Sequence, residues 1–231
     1  MSGTLNIVST PIGNFADMTF RALKTLSESD VIVCEEFKEG VRLLKFFEIN
    51  KDLKIINEHN EKESSEEVFM ELVSGKNVSL ISDCGTPLFS DPGKILLNKC
   101  IEFGIKTEFI GGANSLLASI VLSGFDISRF YFLGFLSPKT EIRKKELKRL
   151  TSIEKVMVIM DAPYRLKALL NDIKEIFPER KLFVAFNITE KSEMHFRGTA
   201  ADILNEIGEE NKKGEFIIFI DKHDNNLQVQ S

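Results

Sequence analysis

The chain has 231 residues, 43% hydrophobic and 28% charged, a balance that excludes a disordered polymer and allows one large domain or two small ones. With 30 basic and 35 acidic residues it carries a net charge of −5, so it is not coated in positive charge, and any nucleic-acid contact needs a local basic patch. Three cysteines without CxxC spacing (Cys34, Cys84, Cys100) and three scattered histidines exclude a disulfide framework and a zinc cluster.

Residues 5–9 read as a buried strand, and 19–27 as a helix with Phe20, Leu23 and Leu26 at helical spacing. Residues 31–34 form the next strand, 40–47 the next helix and 54–57 a short strand. Ser64 with Glu67 three residues on is a capping-box pattern, so a helix carrying Val68, Phe69 and Leu72 is expected to open there and stop near Gly75. The strongly apolar run 78–82 is a strand, 93–103 a helix that Gly104 ends, 107–110 a strand and 114–123 a helix. Further strands are expected at 130–135, 156–160, 182–186 and 216–220, with helices at 139–150, 164–177 and 199–207. The polar end, 223–231, is expected to fray. No apolar run reaches the roughly 18 residues of a membrane span. Residues 1–12 lack the regions of a secretory leader, so a reducing, cytoplasmic setting is expected.

Strand and helix alternate regularly through the first half, which predicts a mostly parallel sheet covered by helices on both faces. The rhythm loosens in the second half, where a mixed sheet is expected. The predicted division is an N-terminal α/β domain over 1–113 and a C-terminal α/β domain over 114–231.

In open α/β sheets, ligands bind at the carboxyl ends of strands. Three turns there are rich in Gly and Pro. The first, 9–14, has Pro11 to stiffen it and Gly13 to let a ligand approach the backbone; it also reads as an ordinary turn in which Asn14 or Asp17 caps the next helix. It is not GxGxxG, and no GxxxxGK[ST] loop is present, so neither a standard dinucleotide fingerprint nor a P-loop is found. The second, 82–93, packs two Asp, two Gly and two Pro into twelve residues. Asp91 before Pro92 fits the N-cap and N1 positions of a helix, which leaves Asp83 as the better ligand candidate. The third is Gly111-Gly112-Ala113-Asn114-Ser115, which serves either close backbone approach or a flexible connection.

These turns resemble those of the tetrapyrrole methylase superfamily, and within it the group that methylates small-subunit ribosomal RNA. A strand leading into T-P-I-G-N stands here as Thr10 to Asn14. The signature S-D-A-G-T-P-x-x-x-D-P-G stands as Ser82 to Gly93, with Cys84 in place of alanine. The resemblance runs from about Leu5 to Asp221 and takes in Gly134-Phe135-Leu136, Arg197-Gly198-Thr199 and Lys213-Gly214-Glu215. It implies two α/β/α domains of the class III methyltransferase type, S-adenosylmethionine held in the cleft between them, and a homodimer. In the RNA branch it implies a 2′-O-methylated cytidine in 16S ribosomal RNA, with the RNA or the small ribosomal subunit as partner. Two other readings of the same pattern are a tetrapyrrole C-methyltransferase and a diverged, non-catalytic cofactor-binding protein. The first usually has a G-D-P loop where this chain has Ser82-Asp83-Cys84-Gly85.

The charged motifs depart from the group. E-D-T-R becomes Glu35-Glu36-Phe37-Lys38, Y-E-S-P-H-R becomes Met160 to Arg165, R-E-L-T-K becomes Phe186 to Glu190, and P-G-P becomes Ile110-Gly111-Gly112. Methyl transfer to a ribose hydroxyl calls for a group that takes or offsets a proton. Glu35, Glu36 and Lys38 are the catalytic candidates, and as surface residues they also read as merely solvated. The resemblance points to Pro11, Gly13, Asp83, Gly85, Pro87, Ser115, Ala162, Pro163 and Gly214 for the cofactor, and no metal. The basic run Lys139, Arg143, Lys144, Lys145, Lys148 and Arg149, together with Arg165, provides phosphate contacts. The run also reads as a solvated helix face with pairs such as Glu141 and Lys145.

Overall fold

A computed structural model describes residues 2–89, 91–209 and 212–222. The expected frayed end, 223–231, and Ser90 of the signature lie outside these residues. The chain divides into two compact units, Met1–Asn114 and Ser115–Ser231.

The first unit is built on five parallel strands, β1 (Thr4–Val8), β2 (Val31–Cys34), β3 (Asp52–Ile55), β4 (Val78–Ile81) and β5 (Lys106–Ile110), in the order β3-β2-β4-β1-β5. Helices α1 (Phe20–Glu28) and α2 (Phe37–Phe46) follow β1 and β2, and α3 (Glu61–Val73) and α4 (Lys94–Glu102) follow β3 and β4. Alternation along each strand decides which helices it meets. Val8, Ile32, Cys34 and Ile81 pack with Ala22, Leu26, Leu43 and Leu44 of α1 and α2. Leu5, Ile7, Val31, Val33 and Leu80 pack with Val68, Phe69, Leu72, Leu96 and Cys100 of α3 and α4. The connections after β1 and β2 run one way along the sheet, and those after β3 and β4 run back. Adjacent β1 and β4 therefore send their chains to opposite faces. That divergence makes the crevice in which open sheets bind ligands, and the turns 9–14 and 82–93 leave from it.

The second unit has strands β6 (Phe130–Gly134), β7 (Val156–Asp161), β8 (Leu182–Phe186), β9 (Met194–Gly198) and β10 (Phe216–Ile220), in the order β6-β7-β10-β8-β9. Only β6 and β7 pair in parallel, so this sheet is mixed. Helices α6 (Thr140–Lys148), α7 (Leu166–Ile176) and α8 (Ala200–Ile207) bury Leu147, Leu169, Leu170, Ile173, Ala200 and Ile203 against one face. Helix α5 (Ser115–Ser123) packs on β8 and β10, and Arg197 of β9 donates to the carbonyls of Leu122 and Ser123 at its end.

Five local features differ from the sequence expectations. Strand β9 and a 3-10 turn, Phe15–Asp17, were not anticipated. Helix α3 starts at Glu61, three residues before the Ser64 capping box, with Asn60 at its N-cap position. Helix α1 is capped by the Thr19 hydroxyl, which accepts from Ala22 N at 3.1 Å, while Asn14 caps the 3-10 turn instead. Asp91 does not cap α4. Gly93 occupies that position at φ +113°, a value open to glycine, and the Glu61 carboxylate accepts from Gly93 N (2.8 Å) and Ile95 N (3.2 Å). A carboxylate distant in sequence has displaced the local cap.

Candidate functional site

Four turns stand on the carboxyl edge of the parallel sheet: 9–14, 35–36, 82–93 and 111–114. They are knitted together by short polar side chains. Thr10 is the hub. Its N–H donates to Gly85 O (2.8 Å), and its hydroxyl donates to Ser82 O (3.0 Å) and accepts from Gly85 N (3.1 Å). Thr86 is the second hub. Its hydroxyl lies 3.2 Å from that of Ser9, donates to Ala113 O (3.4 Å) and accepts from Asn114 Nδ2 (3.4 Å). Ser9 N completes the set by donating to Ile110 O (3.0 Å). A Cβ on Gly112 would sit 2.9 Å from the Cβ of Ser9, so the third turn can lie against the first only as glycine.

The edge is acidic. Among turns 9–14, 35–36, 82–93 and 111–114 the sequence holds no lysine or arginine. Asp83 Oδ1 accepts from Glu36 N (3.2 Å), which joins the signature turn to the start of α2, where Glu36 has no side-chain cap of its own. Burial pushes the Glu35 carboxyl up to about 7, and Asp91, Asp83, Glu58 and Glu36 add to the rise. Burial likewise raises Asp83 against the Glu36 N–H, and Asp91 against bonds from Ser82 and Leu88. Of the three catalytic candidates, Glu35 is half-buried in this group, whereas Glu36 and Lys38 are exposed. Pro11, Gly85 and Pro87 are buried and Gly13 is exposed. A cavity of about 20 Å³ beneath the turns is lined by Thr10, Pro11, Glu39, Ser82 and Asp83. Cys34, below them, is pushed up to about 12 by burial and then by Asp83 and Glu36, so it stays a thiol.

The second unit gathers its own candidates on one edge. β6, β7 and β8 end there and β10 begins there. Gly214 N donates to Pro163 O (3.3 Å), and Asn187 N to Glu215 O (2.8 Å). A Cβ on Gly214 would fall 2.3 Å from Asn187 Oδ1 and 2.5 Å from Phe186 Cζ, so any side chain there would have to push both aside. Asn187 itself sits at φ +49°. Ala162 and Pro163 are half-buried on this edge, and Ala162 N donates to Asp161 Oδ1 (2.7 Å). Ser115 is the first residue of α5.

The basic run is less available than its sequence predicts. Arg143 is 2% exposed and pairs with Asp172 at 2.6 Å, while donating to Ser137 O and Pro138 O. Lys144 pairs with Glu175 and Asp172, and the expected Glu141–Lys145 pair is absent among the described residues. Arg165 is bound to Asp161 (2.7 Å) and donates to Ser137 O (2.7 Å). Arg143 is thus corrected from phosphate contact to internal clamp. Lys139, Lys145, Lys148 and Arg149 remain exposed. The sequence reading missed the Thr10 and Thr86 hubs, although two threonines inside Gly/Pro turns are the kind of signal that marks side-chain-to-backbone bonding.

A five-stranded parallel sheet with a reversal at β1 and β4, joined to a mixed α/β unit, defines an α/β protein with a ligand edge. Its sequence matches the profile of the tetrapyrrole (corrin/porphyrin) methylases over residues 4–204, and the chain belongs to that family of methyltransferases. Ribosomal RNA small subunit methyltransferase I of Thermotoga maritima is 38% identical over 94% of this chain and 98% of its own length. The Bacillus subtilis protein of the same name is 35% identical over 96% of this chain and 76% of its own. In fold, the chain is similar to diphthine synthase, with a TM-score of 0.77, 16% identity, and coverage of 96% of this chain and 92% of that one. Among the described residues, no helix is long and apolar enough to cross a membrane.

Proposed function

We propose that the protein is a cytoplasmic S-adenosylmethionine-dependent methyltransferase acting on small-subunit ribosomal RNA, at the 2′-hydroxyl of a cytidine ribose. The observation that carries this reading is the 38% identity to an rRNA small subunit methyltransferase along 98% of that relative's length. The cofactor contacts we propose are Pro11, Gly13, Asp83, Gly85 and Pro87 in the first unit, and Ser115, Ala162, Pro163 and Gly214 in the second. The donor set suits that cofactor: a sulfonium is cationic, and the turns offer carboxylates with no competing lysine or arginine. When bound, S-adenosylmethionine supplies an activated methyl group.

The chain's own residues then hold and deprotonate the acceptor. Glu35 is the proposed proton acceptor. Its carboxyl, held near 7 by burial and neighbouring acids, is poised to take a proton at working pH. Asp83 fixes the start of α2 through Glu36 N and so sets where Glu35 stands. Lys139, Lys145, Lys148 and Arg149 offer the local positive surface that a chain of net charge −5 needs to meet phosphates. A homodimer is the proposed assembly, carried over from the family resemblance.

The test is transfer of label from methyl-tritiated S-adenosylmethionine to small subunits from cells lacking their own enzyme for the site. Label in one cytidine, at a bond that then resists alkaline cleavage, supports the reading. Label on free tetrapyrrole precursors and none on RNA overturns it.

A further inference from the structure

The carboxyl edge of the second sheet presents two aromatic rings that the fold does not use. Phe135 follows β6 directly and is 54% exposed, and Tyr164 follows Pro163 in the turn after β7 and is 64% exposed. β6 and β7 are adjacent and parallel, so both residues stand on one edge. Neither ring meets another aromatic ring or a cation among the described residues.

The backbones beneath the rings are fixed. Arg165, next to Tyr164, donates to the carbonyls of Leu136 (3.3 Å) and Ser137 (2.7 Å), which follow Phe135. Arg165 is itself held by Asp161, and Arg143 grips Ser137 O from the other side. Two turns are thereby tied into one platform while its rings remain in solvent. Rigid support under an exposed ring lowers the ordering cost of binding.

Charge selects the occupant. The same turn continues through Ser137 and Pro138 into Lys139 and α6; Lys145 and Lys148 in the second half of that helix, and Arg149 just past its end, are exposed. Aromatic faces with Lys139 in the adjoining turn, and further cations along the helix that follows, match single-stranded nucleic acid, with bases on the rings and phosphates on the cations. Ser137, Lys139, Thr140 and Arg165 in and beside these turns are polar, while exposed Phe130, Tyr131 and Phe132 lie along β6 before Phe135. We propose that Phe135 and Tyr164 stack on unpaired bases of the RNA substrate. This deepens the rRNA methyltransferase reading and rests on it.

The chain has no tryptophan, so Phe135→Trp and Tyr164→Trp each create a single fluorescent reporter. A short single-stranded oligoribonucleotide is expected to quench both, and a duplex of equal length is not. Phe135→Ala and Tyr164→Ala should each weaken oligonucleotide binding and raise KM for small subunits roughly tenfold, in line with the cost of losing one stacked base. Tyr164→Phe should bind as the parent does, and S-adenosylhomocysteine affinity should be unchanged throughout. Alanine variants that bind RNA as well as the parent overturn the stacking role while leaving the rRNA reading intact. Variants that sediment as smaller species with unchanged RNA affinity overturn it in favour of a self-association surface. A parent protein that neither binds nor methylates RNA sinks the rRNA reading itself, a result distinct from the other two.

Discussion

The two units hold their carboxyl-edge turns by different means. In the first, hydroxyls and backbone groups close on one another through Thr10 and Thr86, and no cation takes part. In the second, Arg143 and Arg165 clamp the turn after β6 and are answered by Asp172 and Asp161. The first arrangement sets carboxylates at its edge with no lysine or arginine in the turns themselves. The second uses its charges internally, at the expense of a surface that sequence alone would count as basic. Neutral hydrogen bonds are individually modest but give fixed geometry. A buried ion pair stabilises little relative to an apolar pair, yet costs much when half of it is removed.

That difference predicts the largest effect. Arg143→Met should destabilise the second unit by up to about 3–5 kcal/mol, because buried Asp172 keeps only the more distant Lys144, at 3.8 Å, to face it. The double variant Arg143→Met, Asp172→Leu should recover most of the loss. Denaturant unfolding of the two single variants and the double variant measures the coupling. If the losses simply add, the clamp is not the unit described here.

Next comes the acidic edge. Glu35→Gln should lower the transfer rate on the order of 10²-fold, within the range for loss of a general base. The parent's rate should rise with pH through about 7 and then level, as Glu35 loses its proton, and the variant should lack that limb. Stability runs the other way. Glu35 binds its proton more tightly folded than unfolded, so between the ordinary carboxylate range and about 7 stability falls as pH rises. Glu35→Gln should flatten that slope. A parent rate that is flat across this window assigns the proton to another group.

The first unit's neutral network gives a smaller effect. Thr10→Val removes the hydroxyl but keeps the shape, leaving Gly85 N without its acceptor, and should cost about 1–3 kcal/mol. S-adenosylhomocysteine affinity, measured by calorimetry, should fall with it, because the same hydroxyl spans two turns of the proposed cofactor edge. Stability lost with affinity unchanged would separate the network from the cofactor site.

What could be read in the sequence follows the same division. Strands with continuous apolar runs, such as 78–81 and 182–186, declare themselves, and so do turns that need Gly and Pro at fixed spacing. Strand β9 escaped because Met194, His195 and Arg197 alternate weakly on a sheet edge. Arg143 escaped because its partner Asp172 lies 29 residues away on another helix, a separation at which charge patterning says nothing about pairing. Glu35 was legible as a carboxylate after a strand. Its proton affinity was not, since that depends on burial and on Asp91, Asp83 and Glu58 arriving from elsewhere in the chain.

The cap of α4 is the smallest case of a long-range contact displacing a local one. Asp91-Pro92 has the local form of an N-terminus, yet Glu61 from the start of α3 accepts from Gly93 N and Ile95 N. Its negative charge also lies at the positive end of the helix. Glu61→Ala removes both acceptor and charge and should cost about 1 kcal/mol, as for loss of an N-cap. Glu61→Gln keeps an acceptor oxygen and removes only the charge, so it should cost about 0.3–1 kcal/mol, less at high salt. If Glu61→Ala costs nothing while Asp91→Ala costs a cap's worth, the local reading was right and α4 begins at Pro92, capped by Asp91. The expected order, Ala worse than Gln at position 61, shows a residue 32 positions from Gly93 doing a job that sequence rules give to its near neighbour.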